Sequence, residues 1–448
     1  TRRSDIIPPQ SDEGAALIDR ALILRGLLTT EEVAEVHRVG DAYLRYKDKE
    51  LHARTTAARN AEHALALLKE EHARKKREKQ EVSRVRRQKR REAVARRKAQ
   101  DIIYLGRGVS EGLADRRSNI ERLQANGLPV LSTPKDVADA LGVTAPRLRW
   151  LTFHSDAAER THYIHFDVVK RAGGLRRLSA PHRQLKTAQT WILRNVLEKM
   201  PHTAPAHGFI KGRSTLTNAK EHLGRDVVIN LDLKDFFGTV TFPRVRGVFV
   251  RLGYSPAVAT LFALLCTECP RQPLSYDGKT WQVAVGPRAL PQGACTSPAL
   301  SNLVVLGLDK RLIARARALG WRYTRYADDL TFSVEKSPCA SVGMVMAAAR
   351  HIITDEGFRL NPDKGRVQRK GSRQTVTGIV VNEKPGVPRE EVRRLRAILH
   401  QARKTGLDAQ NTHNIPNFRS WLGGKIAYVQ MVDPVKGARL HAELAALP

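Results

Sequence analysis

Trp321-Arg322-Tyr323-Thr324-Arg325-Tyr326-Ala327-Asp328-Asp329-Leu330-Thr331-Phe332-Ser333 is the stretch that decides how this chain is read. Aromatic residues and threonines flank a two-acid tip, a pattern that predicts strand, tight turn, strand. Upstream, Val227-Val228-Ile229-Asn230-Leu231-Asp232-Leu233 is a β-branched run ending in an acid. It predicts a buried strand with Asp232 at its C-terminal end. Adjacent acids in a turn repel one another, which is tolerated when water, a cation or a basic partner offsets the charge. Mg²⁺ suits such a place, because it takes a few carboxylates and keeps its other positions for water and phosphate oxygens. One acid on a strand with two on a hairpin is a set able to hold two such ions. Two ions stabilise the attacking and leaving oxygens in phosphoryl transfer. Taken alone, two Asp in a turn are ordinary turn chemistry, so the rest of the sequence has to decide.

The chain has 448 residues with 77 Lys plus Arg against 45 Asp plus Glu, a net charge of +32, and 42% hydrophobic residues. That length predicts two to three domains, and that apolar fraction is enough for a real core. No apolar run is long enough to span a bilayer, and TRRSDIIPPQSDEG has no apolar stretch behind its arginines. A membrane span and a secretory leader are therefore not expected. Four cysteines make no disulfide framework and fit a reducing cytoplasm. The basic excess points to nucleic acid, through phosphate neutralisation and counterion release. It is concentrated: residues 71–100 hold 14 Lys or Arg against four Glu. Residues from about 32 to 103 lack breakers and predict one or two long helices. Within 71–100 the charge is one-signed, which favours contact with nucleic acid over a merely solvated face. Thr133-Pro134 reads as a helix N-cap followed by proline at the first helical position.

The acids do not stand alone. Tyr326-Ala327-Asp328-Asp329 resembles the YxDD signature of reverse transcriptases. Asn230-Leu231-Asp232-Leu233-Lys234-Asp235-Phe236-Phe237 resembles their first palm motif. Leu290-Pro291-Gln292-Gly293-Ala294-Cys295-Thr296-Ser297-Pro298 with Ser301-Asn302, and Gly357-Phe358-Arg359-Leu360-Asn361-Pro362-Asp363-Lys364, follow in the family's order and spacing. Asn218-Ala219-Lys220-Glu221-His222 matches the NAxxH motif, and Val376-Thr377-Gly378 the VTG motif, of the retron type. Lys170 to Arg176, Ala180-Pro181 and Leu185-Lys186 are similar to retron fingers. Cys295 departs from the family, where proline is common; this alters loop stiffness more than chemistry.

The resemblance implies an α+β right-hand polymerase: a basic helical extension over 1–132, fingers and a palm with antiparallel sheet over 133–384, and a helical thumb over 385–448. It implies that Asp232, Asp328 and Asp329, with the Leu233 carbonyl, hold two Mg²⁺ ions. Lys170 and Arg176 would grip the incoming triphosphate, as Arg does through its two-pronged fork. Gln292 and Ala327 would line the nucleotide pocket, and Phe237 would exclude a ribose 2′-OH. Lys364 would neutralise or protonate the leaving pyrophosphate. Asn218 and His222, one helical turn apart, would either touch RNA or make buried hydrogen bonds. Arg393, Arg394 and Arg396 of the thumb suit an RNA stem, which is read largely by backbone and shape. Cys266 and Cys269 form a lone CxxC, poor evidence for zinc and more simply core.

As a retron-type RNA-directed DNA polymerase the chain would bind a cognate structured non-coding RNA and consume dNTPs. It would prime from an internal guanosine 2′-OH and release branched RNA–DNA (msDNA) in the cytoplasm. Such systems often serve anti-phage defence with a separate effector protein. The alternatives are another bacterial reverse transcriptase class, such as the group II intron-like or abortive-infection types, or a non-catalytic RNA-binding scaffold. NAxxH with VTG argues against the first. Three intact repelling acids argue against the second.

Overall fold

High helix propensity and a scarcity of breakers make most of the described residues up to Gln100 helical. The structure, a computed structural model, describes residues 13–57, 61–169, 173–335 and 341–447. The chain divides into two units, Thr1–Arg96 and Arg97–Pro448. In the first, α1 (Glu13–Leu24) and α2 (Thr30–Ala57) precede α3 (Ala61–Gln100). Thr29 and Glu32 close a reciprocal cap at the start of α2. Asp19 of α1 meets His37 of α2 at 2.8 Å, and Glu50 of α2 lies 3.6 Å from Lys75 of α3. The side chains of 83–96 are exposed except Ala93. Among the described residues no ion pair holds Arg86, Arg87, Lys89, Arg90 or Arg91.

The second unit mixes helices with antiparallel sheets. Its strands are β1 (Ala157–Ala158), β2 (Tyr163–Val169), β3 (Leu175–Pro181), β4 (Val227–Asp232), β5 (Arg271–Tyr276), β6 (Lys279–Ala284), β7 (Arg322–Tyr326), β8 (Asp329–Val334), β9 (Arg366–Arg369), β10 (Thr375–Val376) and β11 (Ile379–Val380). They form the sheets β1–β6–β5, β2–β3, β7–β8–β4–β9 and β10–β11. The apolar run of the sequence becomes β4, with Val228, Ile229 and Leu231 buried. Strand–turn–strand over 322–334 becomes the β7–β8 hairpin. Helices Phe242–Leu252, Pro256–Cys266, Ser297–Val304, Leu306–Ala318 and Val342–Asp355 supply much of the remaining core. Every residue of Pro256–Cys266 after the proline is buried, as an unbroken apolar run requires.

The compact body begins earlier than position 133. Ile102, Leu105, Val109, Leu113, Leu123 and Leu128 belong to the same core cluster as the central strands. These apolar residues are scattered among glycines, so no helical or strand period announces them. The cap is where it is expected: Thr133 and Asp136 close a capping box on Pro134–Ala140. Three helices, Arg389–Thr405, Phe418–Val432 and Pro434–Ala445, end the chain around a core of Leu395, Leu399, Leu422, Ile426 and Leu440. Among the described residues no helix is long and apolar enough to cross a membrane.

Candidate active site

Register puts the acids together. β4 pairs antiparallel with β8 so that Asp232 lies directly opposite Asp329. β7 and β8 close at Tyr326 and Asp329, leaving Ala327 and Asp328 as the tip. Ala327 is buried and left-handed, with φ +56°. The Leu233 N–H donates to the Asp328 carbonyl at 3.0 Å, tying the tip to the end of β4. A purely local two-acid turn would not place a third carboxylate there; the cross-strand pairing does.

Two further groups meet Asp232. Lys364 Nζ lies 2.9 Å from Oδ1, and Asn361 Nδ2 donates to Oδ2 at 3.1 Å. The Asn361 N–H also donates to the Asp232 carbonyl at 2.8 Å. The hydrogen bond to Asp232 raises the Lys364 ammonium's pKa. Burial, reinforced by the Asp232 charge, raises the Asp328 carboxyl, against Lys364 and Arg176. Asp329, an exposed residue whose carboxyl is nonetheless hemmed in by protein, is pushed up to about 6, by desolvation of that carboxyl first and then by Asp328 and Asp232.

Among the described residues no three His, Cys, Asp or Glu side chains already converge as a metal cage. Lys364 takes up Asp232. The residues nonetheless fit a divalent cation: three carboxylates from adjoining strand ends, all hard oxygen donors, with their mutual repulsion only partly offset by Lys364 and Arg176.

The other expected residues fall around this centre. Arg176 stands exposed on β3, and its charge reaches Asp328. Lys170 lies outside the described residues. The Gln292 carbonyl accepts from Ser179 N–H at 2.6 Å. Next to it, Gly293 (φ +120°) approaches β3 so closely that a Cβ would sit 2.9 Å from the Ser179 carbonyl oxygen. This contact fixes the Gln292 loop against the β2–β3 hairpin. Phe237 is half-buried, its ring 6.3 Å from that of Phe209, which lies 6.4 Å from Tyr326. Phe209, exposed and left-handed at φ +61°, is a residue that sequence reading missed, as is Asn361's hold on Asp232. Only the tertiary pairing reveals either.

Asn218 and His222 are fully buried, which agrees with the buried hydrogen-bond alternative and not with contact to RNA. The Thr324 hydroxyl donates to Asn218 Oδ1, and the His222 ring nitrogens lie 2.7 Å from Ser333 Oγ and Thr324 Oγ1. Burial lowers the His222 pKa to about 3, so the ring is neutral and braces β7 against β8. Arg393, Arg394 and Arg396 are exposed on the helix Arg389–Thr405. Cys266 is buried at the end of its apolar helix, where burial pushes its thiol up to about 12.

Comparison with known proteins follows the same lines. Residues 168–383 match the reverse transcriptase (RNA-dependent DNA polymerase) family. The chain is 40% identical to the retron Mx162 reverse transcriptase of Myxococcus xanthus, over 99% of this chain and 94% of that one. It is 47% identical to the retron Mx65 reverse transcriptase of the same organism, over 74% of this chain and 75% of the relative. It is 32% identical to the retron Ec86 reverse transcriptase of Escherichia coli, over 73% of this chain and 93% of the relative.

Desolvation and repulsion together have a measurable consequence. Asp329 ionises near about 6 in the folded chain against an ordinary 3.8. The folded state is therefore progressively penalised as the pH rises through that window, and fully so above it. Asp329→Asn removes the penalty. With chelator present, its melting temperature exceeds that of the wild type at pH 7.5, and the gap closes at pH 3.5. Equal melting temperatures at pH 7.5 would mean that neither desolvation nor the neighbouring acids penalise the Asp329 carboxylate.

Proposed function

The chain belongs to the retron reverse transcriptases, and from that premise we propose that it copies a cognate structured non-coding RNA into DNA, priming from an internal guanosine 2′-OH. The product is a branched RNA–DNA molecule, msDNA. The observation that carries the reading is the register of Asp232 opposite Asp329, with Asp328 at the adjoining tip. The architecture fits a right hand, with the β7–β8–β4–β9 sheet as palm, the β2–β3 hairpin in the fingers and the last three helices as thumb. In this division 133–384 is fingers and palm and 385–448 thumb, with residues 102–131 packed into the same core and the basic helices ahead of them.

Asp232, Asp328 and Asp329, with the Leu233 carbonyl, are the groups that would hold two Mg²⁺ ions. When bound, such ions activate the primer hydroxyl and neutralise charge on the triphosphate. The protein's own part is positioning and charge. Arg176 offers a guanidinium fork to the triphosphate from β3, and Lys170 would act beside it. Lys364, freed from Asp232, is a cation at hand for the departing pyrophosphate. Ala327 keeps the tip small beside the primer end. Gln292 reaches the sugar from a loop pinned to β3. The ring of Phe237, half-buried beside Phe209, would exclude a ribose 2′-OH and so select dNTPs.

RNA is held elsewhere. Arg393, Arg394 and Arg396 present one exposed basic edge. Arg86, Arg87, Lys89, Arg90 and Arg91 of α3 present another, free of ion pairs among the described residues. Both suit phosphate contact without a base code.

Primer extension on co-purified RNA tests the chemistry. Wild type yields DNA joined to an internal guanosine, Asp328→Asn yields none, and Phe237→Ala gains incorporation of ribonucleotides. Equal product from wild type and Asp328→Asn would end the polymerase reading. A separate titration tests α3. Changing its five named basic residues to Gln weakens RNA binding and flattens the slope of log affinity against log salt by up to about 4. An unchanged slope would remove α3 from the RNA-binding surface.

A further inference from the structure

A polar cluster that this chemistry does not use lies directly beneath the acidic tip. Arg325 of β7 and Asp309 of the helix Leu306–Ala318 are both fully buried. Their contact is bidentate: Nε to Oδ1 and Nη2 to Oδ2, each 2.8 Å. Asp309 also accepts from the Tyr323 hydroxyl at 2.8 Å and the Thr203 hydroxyl at 2.9 Å. The remaining guanidinium nitrogen, Nη1, donates to Asn302 Oδ1 at 2.9 Å and to the Ala327 carbonyl at 3.2 Å.

The same neighbourhood closes on Ala327 from a second side. Arg325 N–H donates to the Pro205 carbonyl, and its own carbonyl accepts from His207 N–H, both at 2.7 Å. Asn302 Nδ2 donates to the Gly208 carbonyl at 3.0 Å. Gly208 then lies so close to the tip that a Cβ there would sit 2.5 Å from the Ala327 nitrogen. Two helices and the 203–208 loop thus converge on one left-handed residue.

Stability alone does not account for this. A buried ion pair exchanged for apolar groups of similar size is often neutral or stabilising. A left-handed alanine is strained and persists only where its surroundings over-determine it. Asp309 engages Nε and Nη2, which leaves Nη1 aimed at the carbonyl of that alanine.

We propose that Arg325 is a positioning residue for the cation-binding tip: Asp309 and Asn302 fix its guanidinium plane, and Nη1 holds the Ala327 carbonyl so that Asp328 and Asp329 face Asp232. The inference rests on the reading of those three acids as cation ligands. Arg325 never touches substrate or cation. Its effect runs through backbone geometry, so it shows first in cation affinity.

The test uses the full chain with Mn²⁺ as probe. The double variant Arg325→Met/Asp309→Leu removes the pair without leaving a lone buried charge. Arg325→Lys keeps the charge but cannot reach Asp309, Asn302 and Ala327 together. Mn²⁺ affinity is measured by calorimetry or electron paramagnetic resonance, with melting temperature, kcat and KM for dNTP alongside. Both variants are expected to bind Mn²⁺ about 10- to 100-fold more weakly, the range seen when groups orienting metal ligands are removed. Their kcat falls while KM for dNTP stays within about twofold, and added Mn²⁺ restores part of the rate. If the double variant does not fold, Arg325→Lys decides. Loss of Mn²⁺ binding in Asp328→Asn, with wild-type affinity and kcat in the folded Arg325 variants, would overturn this inference alone. Wild-type Mn²⁺ binding in Asp328→Asn would overturn the assignment of the acids and this inference with it.

Discussion

Three carboxylates held together against their own repulsion are the constraint on which this structure turns. β-Sheet register supplies the force that keeps them there: the β4–β8 ladder sets Asp232 opposite Asp329 whether or not the charges welcome it. Shifting the ladder by one residue would turn Ile229 and Leu231 away from the main core and point Asp232 into it. The apolar pattern of β4 therefore enforces the charged pattern at its end. Hydrophobic burial, a large and non-directional term, is converted into a directional electrostatic arrangement.

Around that arrangement the charges are graded. Lys364 and Arg176 lower the cost of the acids without cancelling it, and the tip retains carboxyls that ionise reluctantly. A site of this kind is poised for cationic partners and for phosphates brought in with them. The neutral His222 and the buried Arg325–Asp309 pair sit behind the sheet's working end. They show how unlike groups serve the same hairpin: one by hydrogen bonds between β7 and β8, the other by gripping its tip.

Much of this was legible in the sequence, and for definite reasons. The β-branched run before Asp232 and the aromatic–Thr alternation around Asp328-Asp329 are local signals, so the strands and the turn could be placed. The motifs then tied the acids to a family. What local reading missed depends on contacts between distant segments. His222 and Asn218 carry no mark in the chain that tells a buried brace from an RNA contact. Asn361 and Phe209 gain their places from pairing across the fold. The residues 101–131 join the core through isolated apolar side chains between glycines, a pattern without a period.

Crystals of the full chain soaked in Mn²⁺ give the most direct measurement of the central claim, read by anomalous scattering. The account predicts a cation bound by Asp232 together with Asp328 or Asp329, and Lys364 withdrawn from Asp232. Mn²⁺ bound elsewhere, with Asp232 still paired to Lys364, would contradict it.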